Sequence, residues 1–275
     1  MSVAAEQPDL LSRLQGRPEL LQGLQLQGAD GQVDGRKLKK LREVAGFCEV
    51  ILRYVRQFLA GQDVVRVVEF SCGKSYLGLA LLFLLREVEG RRGELVGVDS
   101  NAALVETCRR LAGEMGLEDA RFVASRSLGF ESDEPFDLAV SLHACDTATD
   151  EAIAKGIQLG VKLILAVPCC QNQIRGQIKA GHDLTAMTDF GPIRYRLANM
   201  LTDVLRAQFL RSAGYHVEMV EIGSPRLTPK NLCICARKTR RRSRADRSEG
   251  YRTLRSFFGV KPKLERFCPG VIADE

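Results

Sequence analysis

The sequence has no hydrophobic run long enough to cross a bilayer, which excludes a transmembrane helix, since a crossing needs about 20 mostly apolar residues in a row. It has no charged n-region followed by an apolar stretch and a cleavage site. An intracellular protein, cytoplasmic or nuclear rather than secreted or membrane-bound, is therefore expected. No internal repeat is evident, so no repeat architecture is expected. The nine cysteines include no Cys-x-x-Cys pair and are scattered through apolar stretches, which predicts reduced thiols rather than a disulfide framework. What remains is a chain of 275 residues, 45% of them hydrophobic. That is enough for one sizeable core with tails and short for two full domains.

Positive charge exceeds negative only modestly, with 40 Lys and Arg against 34 Asp and Glu for a formal +6. The excess is unevenly placed. The run Arg237-Lys238-Thr239-Arg240-Arg241-Arg242-Ser243-Arg244-Ala245-Asp246-Arg247 is strongly basic, and a second cluster, Arg36-Lys37-Leu38-Lys39-Lys40-Leu41-Arg42, precedes the expected core. Both suit a phosphate backbone, so RNA is the expected partner. A solvated linker and a solvated helix face account for the same charges without one.

Residues 1–34 combine Gln, Gly and Leu with turn-forming stretches and no sustained period, which predicts a loosely ordered arm. From Leu38 to Leu59 the apolar residues Leu41, Val44, Cys48, Ile51, Leu52 and Val55 recur at helical spacing. Residues 35–60 are thus expected as an amphipathic helix covering a sheet. Short β-branched runs then alternate with helical stretches: Val64 to Phe70, Glu94 to Val98, Arg121 to Ala124, Phe136 to Leu142 and Lys162 to Val167. Strands separated by helices imply right-handed crossovers and a mostly parallel sheet. Tyr215 to Ile222 and Asn231 to Ala236 are joined by a segment too short for a crossover helix and should pair antiparallel. The expected fold is α/β and Rossmann-like: a seven-stranded, mostly parallel sheet over residues 61–237, with a terminal antiparallel hairpin. Residues 238–275 are expected as a basic linker and a C-terminal helical tail, with a final helix over 246–258.

The loop Glu69-Phe70-Ser71-Cys72-Gly73-Lys74-Ser75 leads from the first strand into the helical Tyr76-Leu77-Gly78-Leu79. Such a turn lets a ligand approach backbone amides and the positive end of a helix. A phosphate-wrapping P-loop would need glycine where Val68 stands, still inside the strand, so an NTPase is not expected. The other nucleotide reading takes Glu69 as the acidic end of strand one and Asp99 as that of strand two, where it can accept from both ribose hydroxyls. An ordinary helix cap in Asp99-Ser100-Asn101 explains the same aspartate.

Four strings occur in order: Cys72-Gly73-Lys74-Ser75-Tyr76-Leu77, Leu142-His143-Ala144-Cys145-Asp146-Thr147-Ala148-Thr149-Asp150, Val167-Pro168-Cys169-Cys170-Gln171 and Thr228-Pro229-Lys230-Asn231-Leu232. Together they resemble the class I methyltransferase domains that use S-adenosyl-L-methionine, among them bacterial RNA methyltransferases. More distantly, the group is similar to the eukaryotic tRNA acceptor-stem 2′-O-methyltransferase. The resemblance runs from about Lys39 to the C-terminus. It implies S-adenosyl-L-methionine as cofactor, held by Glu69, Ser71, Gly73 and Tyr76 of the first loop, Asp99 after strand two, Arg126 after strand three and Leu142 at the end of strand four. At two of these positions the chain departs from the family. Ser71 stands where the loop usually has its first glycine, and Arg126 where an acidic residue meets the adenine amine. Serine adds a side chain where backbone and cofactor approach closely, and an arginine cannot accept from an amine.

In an open α/β sheet the ligand crevice lies beyond the carboxyl ends of the strands. That rule puts His143, Cys145 and Asp146 after strand four, and Cys169, Cys170 and Gln171 after strand five, around the transferred group. His143 or Asp146 would take the proton of a ribose hydroxyl, and Cys169 or Cys170 would serve covalent addition to a pyrimidine. Cys72 and Cys145 have plain packing as an equal reading, and adjacent Cys169 and Cys170 do not suit a zinc site, so no metal is expected. Arg194 and Arg196, in the long segment before strand six, are expected phosphate contacts, unless surface ion pairs with Asp203 or Glu221 occupy them. Lys230 and Asn231 should reach a nucleotide from the hairpin. The expected activity is methyl transfer to RNA. The alternatives are a non-catalytic binding module of the same fold, or a protein or small-molecule acceptor.

Overall fold

Seven strands form where the β-branched and apolar runs predict them, and their order in the sheet decides where a ligand can sit. The structure is a computed structural model that describes residues 9–24, 26–27, 33–169, 171–178, 184–222, 231–239 and 248–272. Along the chain come helices α1 (Leu10–Gln15), α2 (Pro18–Gly23) and α3 (Gly35–Phe58), then β1 (Val64–Phe70), α4 (Tyr76–Glu87), β2 (Arg92–Asp99), α5 (Ala102–Glu114) and β3 (Ala120–Ala124). They are followed by β4 (Leu138–Leu142), α6 (Thr147–Gln158), β5 (Leu163–Val167), α7 (Thr185–Thr188), α8 (Gly191–Ser212), β6 (Tyr215–Glu221), β7 (Leu232–Lys238), α9 (Glu249–Phe258) and α10 (Leu264–Phe267). The sheet order is β3-β2-β1-β4-β5-β7-β6. All neighbours run parallel except β7, which is antiparallel to both β5 and β6.

Strand order reverses between β1 and β4, which opens a crevice at their carboxyl ends. Register brings those ends level. Phe70 pairs with Val98, Asp99 with Ala124, and Leu142 with Val167. The residues that follow therefore emerge along one edge.

Alternating side chains divide the core between two faces of the sheet. Val65 and Val67 join the cluster under α3, α4 and α5, whereas Val68 and Phe70 join the one under α6, α8, α9 and α10. Helix α3 starts on an Asp34 cap, whose carboxylate accepts from the Arg36 and Lys37 amides at 2.9 Å. It buries the predicted stripe from Leu41 to Val55 against the first face. The helix runs from the carboxyl edge, where Glu43 meets the β4 loop, to the opposite edge, where Arg56 pairs with Glu89.

The N-terminal arm differs from expectation, while the tail is helical as expected, in α9 and α10. Within the arm predicted to be loosely ordered, Leu14, Leu20, Leu21, Leu24 and Leu26 are buried in the α3-side cluster. Helices α1 and α2 are six residues each, too short for a period to register in sequence, and their leucines cover apolar surface that α3 and α5 leave open. The tail is equally integral. Tyr251 of α9 is fully buried, and its hydroxyl donates to Glu265 at 2.7 Å. Most of the basic run, residues 240–247, lies outside the described residues. No helix among the described residues is long and apolar enough to cross a membrane.

Candidate active site

Four non-glycine residues among those described have positive φ: Ser71 (52°), Ser75 (51°), His143 (60°) and Asp146 (50°). All four belong to the loops after β1 and β4, the strands that flank the reversal. Such a backbone costs a non-glycine residue about 1–3 kcal/mol and persists where the surroundings over-determine it.

The β1 loop is set from below. The Glu69 carboxylate is buried and accepts from the Ser75 hydroxyl at 2.5 Å and the Gly78 amide at 3.2 Å. Desolvation outweighs these bonds and the nearby Lys40 charge and pushes its carboxyl up to about 7. Gly78 makes this approach feasible, because a Cβ there would lie 2.4 Å from Glu69 Oε2 and 2.7 Å from Leu95 Cδ2. Glu69 thus shapes the loop from beneath. Asp99 holds the loop from the side: Oδ2 accepts from the Gly73 amide and Oδ1 from the Asn101 amide, each at 2.9 Å. The helix cap is Asn101, whose side chain accepts from Ala103 and Leu104. Tyr76 opens α4 and packs toward the α3-side core.

Beside Asp99 lies a cleft of about 400 Å³ lined by Ser71, Asp99, Ser125, Arg126, Cys145 and Glu151, among others. It gathers the ends of β1, β2, β3 and β4 and falls within the range of about 300–1,000 Å³ usual for small-ligand sites. Larger hollows among the described residues lie elsewhere: one of about 510 Å³ at the opposite edge beside Arg66 and Arg92, one of about 680 Å³ beneath α2, and one of about 430 Å³ between α9 and α10 beside Arg255 and Glu265. None collects residues from the strand carboxyl ends. Across the cleft, the Arg126 guanidinium pairs with the Glu151 carboxylate, and the Glu151 side chain is 7% exposed.

The β4 loop carries the other polar groups. His143 donates its backbone amide to the Val167 carbonyl at 2.9 Å, and its Nε2 lies 3.8 Å from Glu43 Oε2. Its Nδ1 is buried and has no partner among the described residues. The Cys145 and Cys169 sulfurs are 3.4 Å apart. Asp146 is turned away from the role expected for it: Oδ1 accepts from the Asn172 and Gln173 amides at 2.9 and 3.0 Å. It fastens the β5 loop to the β4 loop. Gln171 is likewise buried, and its amide donates to the Asp203 carboxylate at 2.9 and 3.0 Å. Cys170 lies outside the described residues. Among those described, no three His, Cys, Asp or Glu side chains gather as a metal site.

Behind these loops is a buried charge network that the sequence reading did not single out. Arg206 of α8 is fully buried and donates to Asp150 at 2.7 Å, to Asp203 at 3.2 Å and to the Asp146 carbonyl at 2.8 Å. Asp203, expected as a surface partner of Arg194 or Arg196, is instead taken by Arg206. A lone arginine among Leu201, Leu205, Phe209 and Leu210 on one helix face is the signal that would have found it. No comparable signal exists for Glu43 or Glu151, which only the fold brings to the site.

Arg194 and Arg196 are exposed on the first turns of α8, at the same carboxyl edge, where the Arg175 guanidinium stacks on Tyr195 at 5.7 Å. Asn231 is buried, with Nδ2 unpartnered among the described residues. Lys230 falls outside them. The first turns of α3 bring Lys39 and Lys40 close enough for their charges to help hold the Glu43 carboxyl below its ordinary range, after the contact with His143. The cluster around Arg36 to Arg42 therefore borders the site.

Comparison with known proteins adds the following. Residues 39–177 match the family model described as a methyltransferase domain. The glutathione S-transferase C-terminal domain-containing protein of Homo sapiens is 23% identical over 194 residues, covering 62% of this chain and 29% of that protein. This chain thus spans less than a third of that relative's length. Among solved structures, magnesium protoporphyrin IX methyltransferase from Synechocystis PCC 6803 with bound SAM is similar at TM-score 0.48 and 11% identity, over 86% of this chain and 100% of that one. A putative S-adenosyl-L-methionine-dependent methyltransferase from Methanococcus maripaludis is similar at TM-score 0.48 and 14% identity, over 88% and 99%.

Proposed function

Since the chain belongs to the methyltransferase-domain family, we propose that it is an S-adenosyl-L-methionine-dependent methyltransferase acting on RNA. One observation carries the reading: Asp99, the strained β1 loop and the strained β4 loop converge on a single cleft at the point where strand order reverses. The donor set fits a nucleoside cofactor. A carboxylate, held in place by the Gly73 amide, stands at the end of β2 for ribose hydroxyls, with the hydroxyls of Ser71 and Ser125 beside it. Glu69 keeps the turn in shape, and Leu142 ends β4 as an apolar border.

When bound, the cofactor supplies a methyl group on a sulfonium; an acceptor nucleophile bonds to that carbon in line as the carbon–sulfur bond breaks to a neutral thioether. The chain's own work is then mainly positioning, which contributes on the order of 7–11 kcal/mol in well-oriented systems. Glu43 lies beside His143 Nε2 and supports the imidazole at the end of β4, where this reading places the group that takes the acceptor's proton. Asp146 and Gln171 act behind it by fixing the two loops. Cys169 stays near the acceptor as a packed neighbour of Cys145. Arg194, Arg196 and the first turns of α3 hold phosphates at the rim, with Asn231 on the hairpin side.

Titration calorimetry with S-adenosyl-L-methionine tests the cofactor. Heat is expected from the native chain and none from Asp99→Ala. Absence of heat from the native chain at millimolar cofactor would overturn the enzyme reading and leave a binding module of this fold. Transfer of label from methyl-labelled cofactor to RNA, compared with protein and small-molecule fractions, tests the acceptor.

A further inference from the structure

We infer that the start of α8 is a stacking platform for an unpaired base of single-stranded RNA, with Phe190 under the base and Arg194 and Arg196 on the flanking phosphates. This rests on the RNA reading above and adds a contact away from the transferred methyl group. Topology dictates where the platform stands. Strand β6 is antiparallel to β7, and β7 to β5, so β6 starts at the opposite edge and α8, which leads into it, begins at the carboxyl edge. The β4 and β5 loops grip α8 at Asp203 and Arg206, through the Gln171 amide and the Asp146 carbonyl. From Gly191 to Asp203 the helix runs about 18 Å, so its first turns project past that grip. Ala198 is the one buried residue between Gly191 and Met200.

The projecting stretch interleaves apolar and basic side chains. Five large hydrophobic residues are exposed among those described, and three of them, Met187 at 47%, Phe190 at 66% and Met200 at 67%, fall here. Single exposed apolar residues are ordinary, whereas a cluster marks a contact surface. Two of the three have an arginine one helical turn away. The Arg194 amide donates to the Phe190 carbonyl at 2.9 Å, and Arg196 precedes Met200 by four positions in α8, so the members of each pair share a helix face. Neither arginine has an ion pair among the described residues; Asp203, the acid expected for them, is taken by Arg206. Asp189 is the one acid between Leu184 and Met200. An exposed ring suits the face of any base, and uncommitted guanidiniums beside it suit the phosphates on either side. A second protein seated here would have to bury those guanidiniums without a counter-charge from this chain. A duplex keeps its base faces stacked on one another, so the fitting partner is a single strand.

Fluorescence anisotropy with a single-stranded oligoadenylate and an abasic strand of the same length separates stacking from phosphate binding. The native chain should prefer the oligoadenylate by about fivefold or more, the worth of one stacked base. Phe190→Ala should remove most of that preference by weakening the oligoadenylate alone, and Phe190→Trp, which keeps an aromatic face, should retain it. Arg194→Ala should weaken both strands alike and lower the slope of affinity against salt by about 0.7. Urea unfolding of each variant checks that the fold survives, as an exposed position allows. A native chain that binds both strands equally, or a preference that persists in Phe190→Ala, would overturn the platform and leave the RNA reading to phosphate contacts. A chain that self-associates through this patch, shown by sedimentation as a dimer that Phe190→Ala converts to a monomer, would also overturn it. A native chain that binds neither strand would end both readings.

Discussion

Burial of the Glu69 carboxyl makes the stability of the β1 loop depend on pH. Folding raises this carboxyl from its ordinary 4.5 to about 7, because desolvation exceeds the help from Ser75 and Gly78. The folded chain therefore holds this proton more tightly than the unfolded chain. The stabilisation is complete below about pH 4.5 and is lost as pH rises through 7, a change on the order of 3 kcal/mol. Glu69→Gln keeps an acceptor for Ser75 and removes the ionisation. Urea unfolding between pH 5 and 8 should show the native chain losing stability across this window and the variant changing far less; parallel profiles would refute the assignment. The sequence placed Glu69 among the cofactor contacts, since an acidic residue ending a first strand suggests a ligand. That it works from below follows from a close approach at Gly78, which no spacing rule reveals. Ser71 is similar: its extra side chain was legible, and its left-handed backbone was not.

Helices α6 and α8 are joined through charge. Arg206, Asp150 and Asp203 lie out of water, and removing one member of such a group leaves the others uncompensated, at a cost of about 3–5 kcal/mol. Arg206→Met should lower stability by that order in denaturant unfolding. In a background of Asp150→Asn and Asp203→Asn the same change should cost much less; an equal cost in both backgrounds would mean that packing alone places this arginine. The strands were readable because each is a short β-branched run that pairs with a register neighbour. The network was not, since Arg206 and Asp150 are 56 residues apart: the leucines around Arg206 mark it as buried, but nothing in either segment names its partner. A second consequence of loop placement is chemical. Cys145 is exposed, and its sulfur touches that of Cys169. Hydrogen peroxide should therefore oxidise one thiol to a sulfenic acid, which the other displaces as water leaves, giving a disulfide. Peptide mapping should find the 145–169 link in the native chain, and linkage of other cysteines in its place would count against the geometry.

At the scale of the molecule, two basic elements end on the edge that holds the cleft. Helix α3 starts there with Arg36, Lys37 and Lys39, and α8 starts there with Arg194 and Arg196. The formal charge of +6 would mean little if it were spread over the surface. The folded arrangement puts the α3 cluster within electrostatic reach of Glu43 and His143, which is what a phosphate-bearing acceptor needs to bring one nucleotide to the β4 loop. The cluster itself was visible in sequence; its position beside His143 depends on the direction in which α3 crosses the sheet. Binding through phosphates releases counterions, so affinity for single-stranded RNA should fall steeply with salt, by about 0.7 in logarithmic slope per contact. Replacing Arg36, Lys37 and Lys39 by alanine should reduce that slope by about 2, while cofactor binding stays unchanged because none of the three lines the cleft. Filter binding over a range of potassium chloride concentrations measures both slopes. Equal slopes for native and variant chains would remove α3 from the docking surface and leave α8 to carry the RNA reading alone.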